Sequence, residues 1–202
     1  MTAPDLVVWD FDGVLNHEPP TGPFPWVDDL ETDLGIPPAA FRAFLSRPGL
    51  AEAALTGAVD PVDELDAWLA AEGHGLSGEA FFSHWLAADA RPDAETIGWL
   101  ERSGPRAVIG TNNPVRRADD IMHWMGFARR VEKMFASGAL GVAKPDAGFF
   151  RAIEDWAQLR PDRILLIDDT EANVDAAARR GWRVFHFTPH SRAELPRRIG
   201  LG

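Results

Sequence analysis

The sequence predicts an α/β fold in which a doubly wound parallel sheet carries an inserted helical domain. From Arg91 onward, short apolar runs alternate with helical segments, a pattern typical of a parallel sheet with helices on both faces. Polar clusters follow directly on three of the apolar runs, where the reacting groups of such sheets gather. Residues 16–90, between the first run and the second, show helical spacing without strand-like alternation.

Composition limits the classes of protein that fit this chain. Of its 202 residues, 46% are hydrophobic and 25% are charged, which is ordinary for a folded protein with a substantial core. The absence of cysteine excludes disulfides, thiolate metal sites and thiol catalysis. A polar N-terminus leads directly into the first apolar run, and no run approaches membrane-spanning length. We therefore expect a soluble cytoplasmic protein.

The net charge of −11 is concentrated in one segment. Residues 16–90 hold 13 acidic side chains and two arginines, whereas the rest of the chain carries 18 charges of each sign. An acidic segment repels phosphate backbones and anionic lipid surfaces. We therefore expect neither nucleic acid nor a membrane as a partner.

The first polar cluster follows a predicted strand at residues 6–9. This strand delivers Asp10 and Asp12 into the turn at its carboxyl end. Two acids so close together repel each other and are poorly solvated, so a cation or a proton is needed to separate their roles. Gly13 then lets the chain leave in a conformation that other residues avoid. Alone, this stretch is equally compatible with an ordinary turn, so its interpretation depends on the chain downstream.

The segment from Asn16 to Gly35 is rich in proline, glycine and aromatic residues, which predicts a turn-rich excursion. Helices are then predicted over residues 39–46, from the N-cap Asp60 to Gly73, and from Ser77 onward. The aromatic residues of this block could line a pocket, but their spacing favours a packed core: Phe24, Trp26, Trp68, Phe81 and Trp85.

Four further strands are predicted in the second half of the chain, at residues 107–110, 134–136, 163–167 and 183–187. Helices are predicted between and after them, over residues 92–102, 114–125, 146–158 and 171–180 and at the C-terminus. Two of these strands end in polar clusters, Thr111 with Asn112 and Asp168 with Asp169.

Carboxylates, a hydroxyl and a lysine converging on one edge of the sheet favour a site for Mg²⁺ and phosphate. Zinc is disfavoured because the chain lacks cysteine and histidine pairs at metal-binding spacing. Lys144, which precedes Pro145 at a predicted helix start, is a compact cation that can hold a phosphoryl oxygen and offset crowding among the acids.

Four short sequences in this order resemble the signature of the haloacid dehalogenase-like hydrolase superfamily. They are Asp10-Phe11-Asp12-Gly13-Val14, Thr111-Asn112, Lys144-Pro145, and Asp168-Asp169 with Asn173 beyond. The helical block resembles the first cap class of that superfamily, and the match covers nearly the whole chain. The resemblance implies a Rossmann-like catalytic core of residues 1–15 and 91–202, with a helical cap domain of residues 16–90.

The resemblance also implies roles for the residues after the first two strands. Asp10 would be the nucleophile that forms an aspartyl-phosphate. Asp12 would be the general acid and base, protonating the leaving oxygen and then activating water. Thr111 and the backbone beside Asn112 would bind the phosphoryl oxygens.

The remaining signature residues would supply charge and a metal. Lys144 would neutralise charge that develops on the phosphoryl oxygens. Asp168 and Asp169 would hold Mg²⁺ together with Asp10 and the main-chain carbonyl of Asp12, with Asp169 favoured for the inner sphere and Asp168 in support. The implied activity is Mg²⁺-dependent hydrolysis of a small phosphorylated metabolite, by a monomer or a homodimer.

Three other activities compete with this interpretation. Dehalogenases of the same superfamily replace the second aspartate, whereas Asp12 is present here. A phosphomutase would bind a second phosphate with cap cations, and this cap offers only Arg42, Arg47 and histidines in an acidic setting. A phosphoryl-accepting receiver domain places its acid pair near the N-terminus, whereas here Asp168 and Asp169 come last. Hydrolysis of a phosphate monoester fits best.

Overall fold

In a computed structural model, residues 3–17 and 24–201 are described. Their strands are β1 (Leu6–Trp9), β2 (Arg106–Thr111), β3 (Lys133–Ala136), β4 (Ile164–Asp168) and β5 (Arg183–His186). These strands form one parallel sheet in the order β3-β2-β1-β4-β5. Each predicted strand is found within one residue at either end, and the predicted α/β fold class is confirmed.

Among the described residues, the helices fall between the strands and after the last one. They are α1 (Leu30–Leu34), α2 (Pro38–Leu45), α3 (Leu50–Leu55), α4 (Pro61–Ala71), α5 (Gly78–Asp89), α6 (Ala94–Arg102), α7 (Val115–Asp119), α8 (Ser137–Leu140), α9 (Ala147–Ala157), α10 (Glu171–Arg179) and α11 (Leu195–Arg198). The helix predicted over residues 114–125 ends its α-helical part at Asp119 and continues as a π-helical turn, Asp120–Trp124. Among all the described residues, no helix is long and apolar enough to cross a membrane.

Both faces of the sheet are covered, because side chains alternate along each strand. On β1, Val7 and Trp9 pack into one core with residues of α6 and α11. Leu6 and Val8 point the other way, into a second core with residues of α9 and α10. All four of these β1 side chains are fully buried, so the sheet is doubly wound as predicted.

The register of the sheet places the polar clusters at about the same height along neighbouring strands. Trp9 lies opposite Ile109 of β2 and also opposite Ile167 of β4. The residues that follow these positions, Asp10, Gly110 and Asp168, therefore lie side by side at the carboxyl edge of the sheet. Asp10 begins this edge by donating its backbone N–H to the carbonyl oxygen of Ile167 at 2.9 Å. Residues far apart in the sequence are thus brought together, with Asp168 next to Asp10.

The helices α1 to α5 form a block with a core of its own, in which Trp26, Trp68 and Phe81 are buried. Two of its predicted helix starts are found as expected. The Asp60 side chain accepts a hydrogen bond from the Val62 N–H at the start of α4, and Ser77 caps α5 in the same way. Helices α1 and α3 were not predicted, and part of the predicted turn-rich excursion, residues 18–23, lies outside the described residues.

The helical block joins the sheet through two adjacent connections. The Asn16 side chain donates to the Asp89 carbonyl oxygen at 2.9 Å and accepts from the Arg91 N–H at 2.7 Å. The His17 N–H donates to the Arg91 carbonyl oxygen at 2.7 Å. The chain therefore enters and leaves the block at one place, beside the carboxyl edge of the sheet.

Candidate active site

Three buried charged side chains meet at this edge: Asp10, Lys144 and Asp168. Asp10 follows β1, Asp168 ends β4, and Lys144 lies in the loop between α8 and α9. The Lys144 Nζ atom lies 2.7 Å from Asp168 Oδ2 and 3.0 Å from Asp10 Oδ1, and it donates to the Gly110 carbonyl oxygen at 2.7 Å. An ammonium group has three protons to donate, so Lys144 is fully occupied in separating two carboxylates that would repel each other.

The electrostatics of this group follow from its burial. Removal from water raises the pKa of Asp10 well above its usual range; the Asp168 carboxylate raises it further, Lys144 opposes the rise, and Asp169 adds to it. Burial also disfavours the charged form of Lys144, but Asp10 and Asp168 outweigh it and hold the pKa of Lys144 above its ordinary value. The lysine stays cationic, and the acids around it still carry excess negative charge that a further cation can neutralise.

Asp10, Asp168 and Asp169 offer the donor set that such a cation requires. Each can supply a carboxylate oxygen, and these oxygens lie within 4.8 Å of one another. Hard oxygen ligands suit Mg²⁺, which binds through a few carboxylates and keeps places for water or phosphate oxygens. The three aspartates therefore have the ligand chemistry and the spacing that a magnesium ion requires.

The two aspartates after β4 differ in their surroundings. Asp168 is fully buried, its Oδ2 faces Lys144, and its Oδ1 accepts from the Thr170 N–H and the Asn173 side chain, each at 2.9 Å. Asp169 is more exposed and its side chain lies over Gly13. Both carboxylate oxygens of Asp168 therefore hold neighbouring residues in place.

Gly13 makes the close approach of Asp169 possible. Its φ angle is +80°, in the left-handed region that other residues rarely adopt, as the sequence led us to expect. A Cβ atom built on Gly13 would lie only 2.1 Å from Asp169 Oδ2. Any side chain at this position would collide with the Asp169 carboxylate.

The Asp12 side chain is held by two amides. Its Oδ1 accepts from the Asn16 side chain and its Oδ2 from the Asn113 side chain, each at 2.9 Å. The Asn113 Nδ2 also donates to Thr111 Oγ1 at 2.7 Å, which links the ends of β1 and β2. Sequence reasoning missed Asn113 and Asn16. The only available signal for Asn113 was its place directly after the Thr111-Asn112 pair.

The Asn112 side chain holds the loop that contains Lys144. Its Oδ1 accepts from the Lys144 N–H and its Nδ2 donates to the Lys144 carbonyl oxygen, both at 2.8 Å. These two bonds tie the loop before α9 to the end of β2. Of the residues predicted to bind phosphate, the buried Thr111 therefore offers a hydroxyl, whereas Asn112 offers its backbone.

A cavity of about 400 Å³ lies between the helical block and this edge of the sheet. On the sheet side, Asp12, Gly13 and Asn113 line it. Among the aromatic residues for which the sequence favoured a core role, Phe24 and Trp85 line the cavity as well as packing against the core of the block. The cavity gives a small molecule access to Asp12.

Comparison with known proteins finds a matching family model that spans most of the chain. Residues 4–181 match the family model described as haloacid dehalogenase-like hydrolase. A phosphoglycolate phosphatase of Pseudomonas putida is 29% identical over 186 residues, which cover 89% of this chain and 68% of that protein. The GMP/IMP nucleotidase YrfG of Escherichia coli is 32% identical over 93 residues, 44% of this chain and 41% of that protein.

The fold is also found in solved structures. A HAD family enzyme from Bacteroides thetaiotaomicron, crystallised in complex with magnesium and inorganic phosphate, superimposes with a TM-score of 0.78 at 16% sequence identity. The superposition covers 95% of this chain and 98% of that one. The common architecture therefore includes the helical block as well as the sheet.

Proposed function

Because the chain belongs to the haloacid dehalogenase-like hydrolases, we propose that this enzyme hydrolyses a small phosphate monoester through an aspartyl-phosphate on Asp10, with Mg²⁺. The observation that supports this most strongly is the meeting of Asp10, Lys144, Asp168 and Asp169, drawn from three parts of the sequence, at one edge of the sheet. A relative named as a phosphoglycolate phosphatase, matching 89% of the chain, favours the same class of reaction.

The chemistry divides into two displacements at phosphorus. Asp10 attacks the phosphorus atom, and the leaving oxygen departs with a proton from Asp12. Asp12 then accepts a proton from water, which attacks the same phosphorus, releases phosphate and restores Asp10. We assign the attack to Asp10 Oδ2, since Oδ1 accepts from the Phe11 N–H at 2.7 Å and faces Lys144.

Two amide donors fix the position of Asp12 for both of its tasks. The Asn16 and Asn113 side chains each bind one oxygen of its carboxyl group. This orients Asp12 at the floor of the cavity, where the leaving group has to lie. The alternation between acid and base needs no movement of the side chain.

We assign Mg²⁺ to Asp10, Asp169 and the main-chain carbonyl of Asp12, with Asp168 in support through Lys144 and Asn173. When bound, the ion screens the substrate phosphate from the carboxylates and stabilises charge in the transition state. Asp169 is preferred over Asp168 as a ligand because it is partly exposed, whereas Asp168 is fully buried and its oxygens are bound by Lys144, Thr170 and Asn173.

The phosphoryl oxygens are assigned to the Thr111 hydroxyl and to the backbone beside Asn112, with Lys144 supplying positive charge. Lys144 acts from behind the carboxylates, since its protons are taken by Asp10, Asp168 and Gly110. Residues 1–15 and 91–202 form the catalytic core in this proposal, and residues 16–90 form the cap that closes the cavity.

The experiment is a phosphate-release assay with p-nitrophenyl phosphate and Mg²⁺. We expect sustained turnover that EDTA abolishes and that Asp10→Asn reduces to background while the fold is kept. Asp162→Asn is the matched control, because Asp162 is exposed and precedes β4 at the opposite edge of the sheet. A single stoichiometric phosphorylation without turnover would support a receiver domain instead, and undiminished turnover in EDTA would exclude the proposed metal.

A further inference from the structure

The helical block presents an apolar wall to the cavity above Asp12. Leu45, Leu50, Trp85 and Leu86 all line the cavity and are only half-buried. Each also packs against the core of the block, so its remaining surface is turned toward the cavity. A molecule bound against Asp12 therefore meets hydrocarbon on its far side.

Both arginines of the block are paired with acids, and among its described residues His17 is the one basic side chain that lines the cavity. Arg42 pairs with Asp28 at 2.5 Å and Arg47 with Glu64 at 3.2 Å, and neither arginine lines the cavity. Residues 18–23, which lie outside the described part of the chain, contain no lysine, arginine or histidine. The block therefore supplies no arginine or lysine to the cavity wall in the residues that the structure describes, and Glu64 itself lines it.

Two arginines of the sheet domain do line the cavity, and both are engaged by Asp89. Arg91 lies 2.8 Å from Asp89 Oδ1, and each of its three guanidinium nitrogens donates a hydrogen bond within the protein. Arg117 lies 3.7 Å from Asp89 Oδ2 and 3.0 Å from Asp120 Oδ2. These carboxylates balance the charge of both arginines, which weakens their attraction for an anionic ligand group.

From this wall and these pairings, and on the basis of the proposed function, we infer that the preferred substrates are phosphate monoesters with an uncharged, apolar leaving group. A leaving group that carries its own carboxylate, as in 2-phosphoglycolate, would bring an unpaired charge against hydrocarbon, which is strongly unfavourable. A hydrocarbon leaving group instead loses contact with water, and each methylene buried favours binding about fourfold.

The test is a series of n-alkyl monophosphates, ethyl, butyl and hexyl phosphate, with 2-phosphoglycolate as the charged counterpart of ethyl phosphate. The alkyl leaving groups have nearly equal intrinsic reactivity, so differences in kcat/KM report the surroundings of the chain. We expect kcat/KM to rise about fourfold per methylene until the cavity is filled, and ethyl phosphate to exceed 2-phosphoglycolate about tenfold. A flat series, or faster hydrolysis of 2-phosphoglycolate, would overturn the inference.

A charge placed in the wall tests which side chains make the selection. Leu86→Arg should weaken the advantage of hexyl over ethyl phosphate at least tenfold and raise the relative rate with 2-phosphoglycolate. Ala87→Arg adds the same charge at the adjacent, exposed position, which does not line the cavity, and should leave both ratios unchanged. Equal effects of the two variants would contradict the assignment to the wall.

A second variant covers the case in which Leu86→Arg does not fold. Leu50→Gln, in α3, changes another half-buried residue of the same wall and should flatten the alkyl series without adding charge. An unchanged series in this variant would count against the inference. Failure of the wild-type enzyme to hydrolyse p-nitrophenyl phosphate would overturn the proposed function itself, whereas its hydrolysis with a flat alkyl series would overturn the inference alone.

Discussion

The turn after β1 allows a sharp test of Asp169 as a metal ligand, because two glycines share a backbone conformation but not their surroundings. The φ angle is +80° at Gly13 and +78° at Gly73. A Cβ atom on Gly13 would lie 2.1 Å from Asp169 Oδ2 and 2.5 Å from its Cγ, whereas a Cβ atom on Gly73 would meet nothing within 4 Å. Gly13→Ala therefore perturbs Asp169, and Gly73→Ala is its matched control.

Both substitutions carry the cost of a left-handed backbone for an L-residue, about 1–2 kcal/mol. For a chain of this size, each kcal/mol lowers Tm by about 2–4 °C. Only Gly13→Ala also has to move Asp169, since Cβ contacts below 3.0 Å are essentially never found. The carboxylate must shift by roughly 1 Å, and a displacement of that size at a reacting centre costs about 100-fold in rate.

The assay is steady-state hydrolysis of p-nitrophenyl phosphate over a Mg²⁺ titration, with thermal melts of the same proteins. We expect Gly73→Ala to lose stability but keep its kcat/KM and its Mg²⁺ dependence. Gly13→Ala should lose about 100-fold in kcat/KM and require more Mg²⁺ for half-maximal activity. A Gly13→Ala enzyme with the wild-type Mg²⁺ dependence would refute the placement of Asp169 at the metal.

Two further predictions concern charge and stability. Lys144→Met leaves two buried carboxylates without their cation and should destabilise the fold by about 3–5 kcal/mol. Lys133→Met, at the exposed start of β3, should cost less than about 1 kcal/mol in urea melts, and equal losses would contradict the buried role. Burial raises the pKa of Glu154, but hydrogen bonds from Arg180 and Trp182 outweigh it and hold that pKa below its usual value. The stabilisation that follows from this lowered pKa is present above the pKa of Glu154 in the unfolded chain and is lost as the pH falls through its pKa in the folded protein. The difference in unfolding free energy between wild type and Glu154→Gln should therefore close from about pH 5 to about pH 3. A difference that stays constant over this range would contradict the role of Glu154.

The fold was predictable because its strands are short apolar runs with clear ends. Asp60 before Pro61 likewise marks a helix start through local hydrogen bonding and a preset backbone angle. Helix α3 was missed because it follows Gly49, whose φ is +77° and which makes no side-chain cap. Its start therefore carries neither a capping side chain nor a proline, whereas α2, which also lacks a side-chain cap, begins at Pro38 and could be predicted.

The candidate site was predictable in its members but not in its contacts. The role of Asn113 depends on how the turn after β2 directs its amide toward Asp12, which the sequence does not encode locally. The apolar wall could not be predicted from the sequence for another reason. Side chains such as Leu50 and Leu86 lie on helix faces that meet both the core and the cavity, so hydrophobic periodicity alone does not distinguish the two surroundings.

The central claim is that Asp10 becomes covalently phosphorylated during turnover. The most direct measurement is a single-turnover reaction with p-nitrophenyl phosphate radiolabelled at phosphorus, quenched in acid and followed by peptide mapping. We expect the label on the peptide that contains Asp10 when Mg²⁺ is present, and none with EDTA or in Asp10→Asn. Label on a different residue, or phosphate release from the wild-type enzyme with no protein-bound label at any time, would contradict the account.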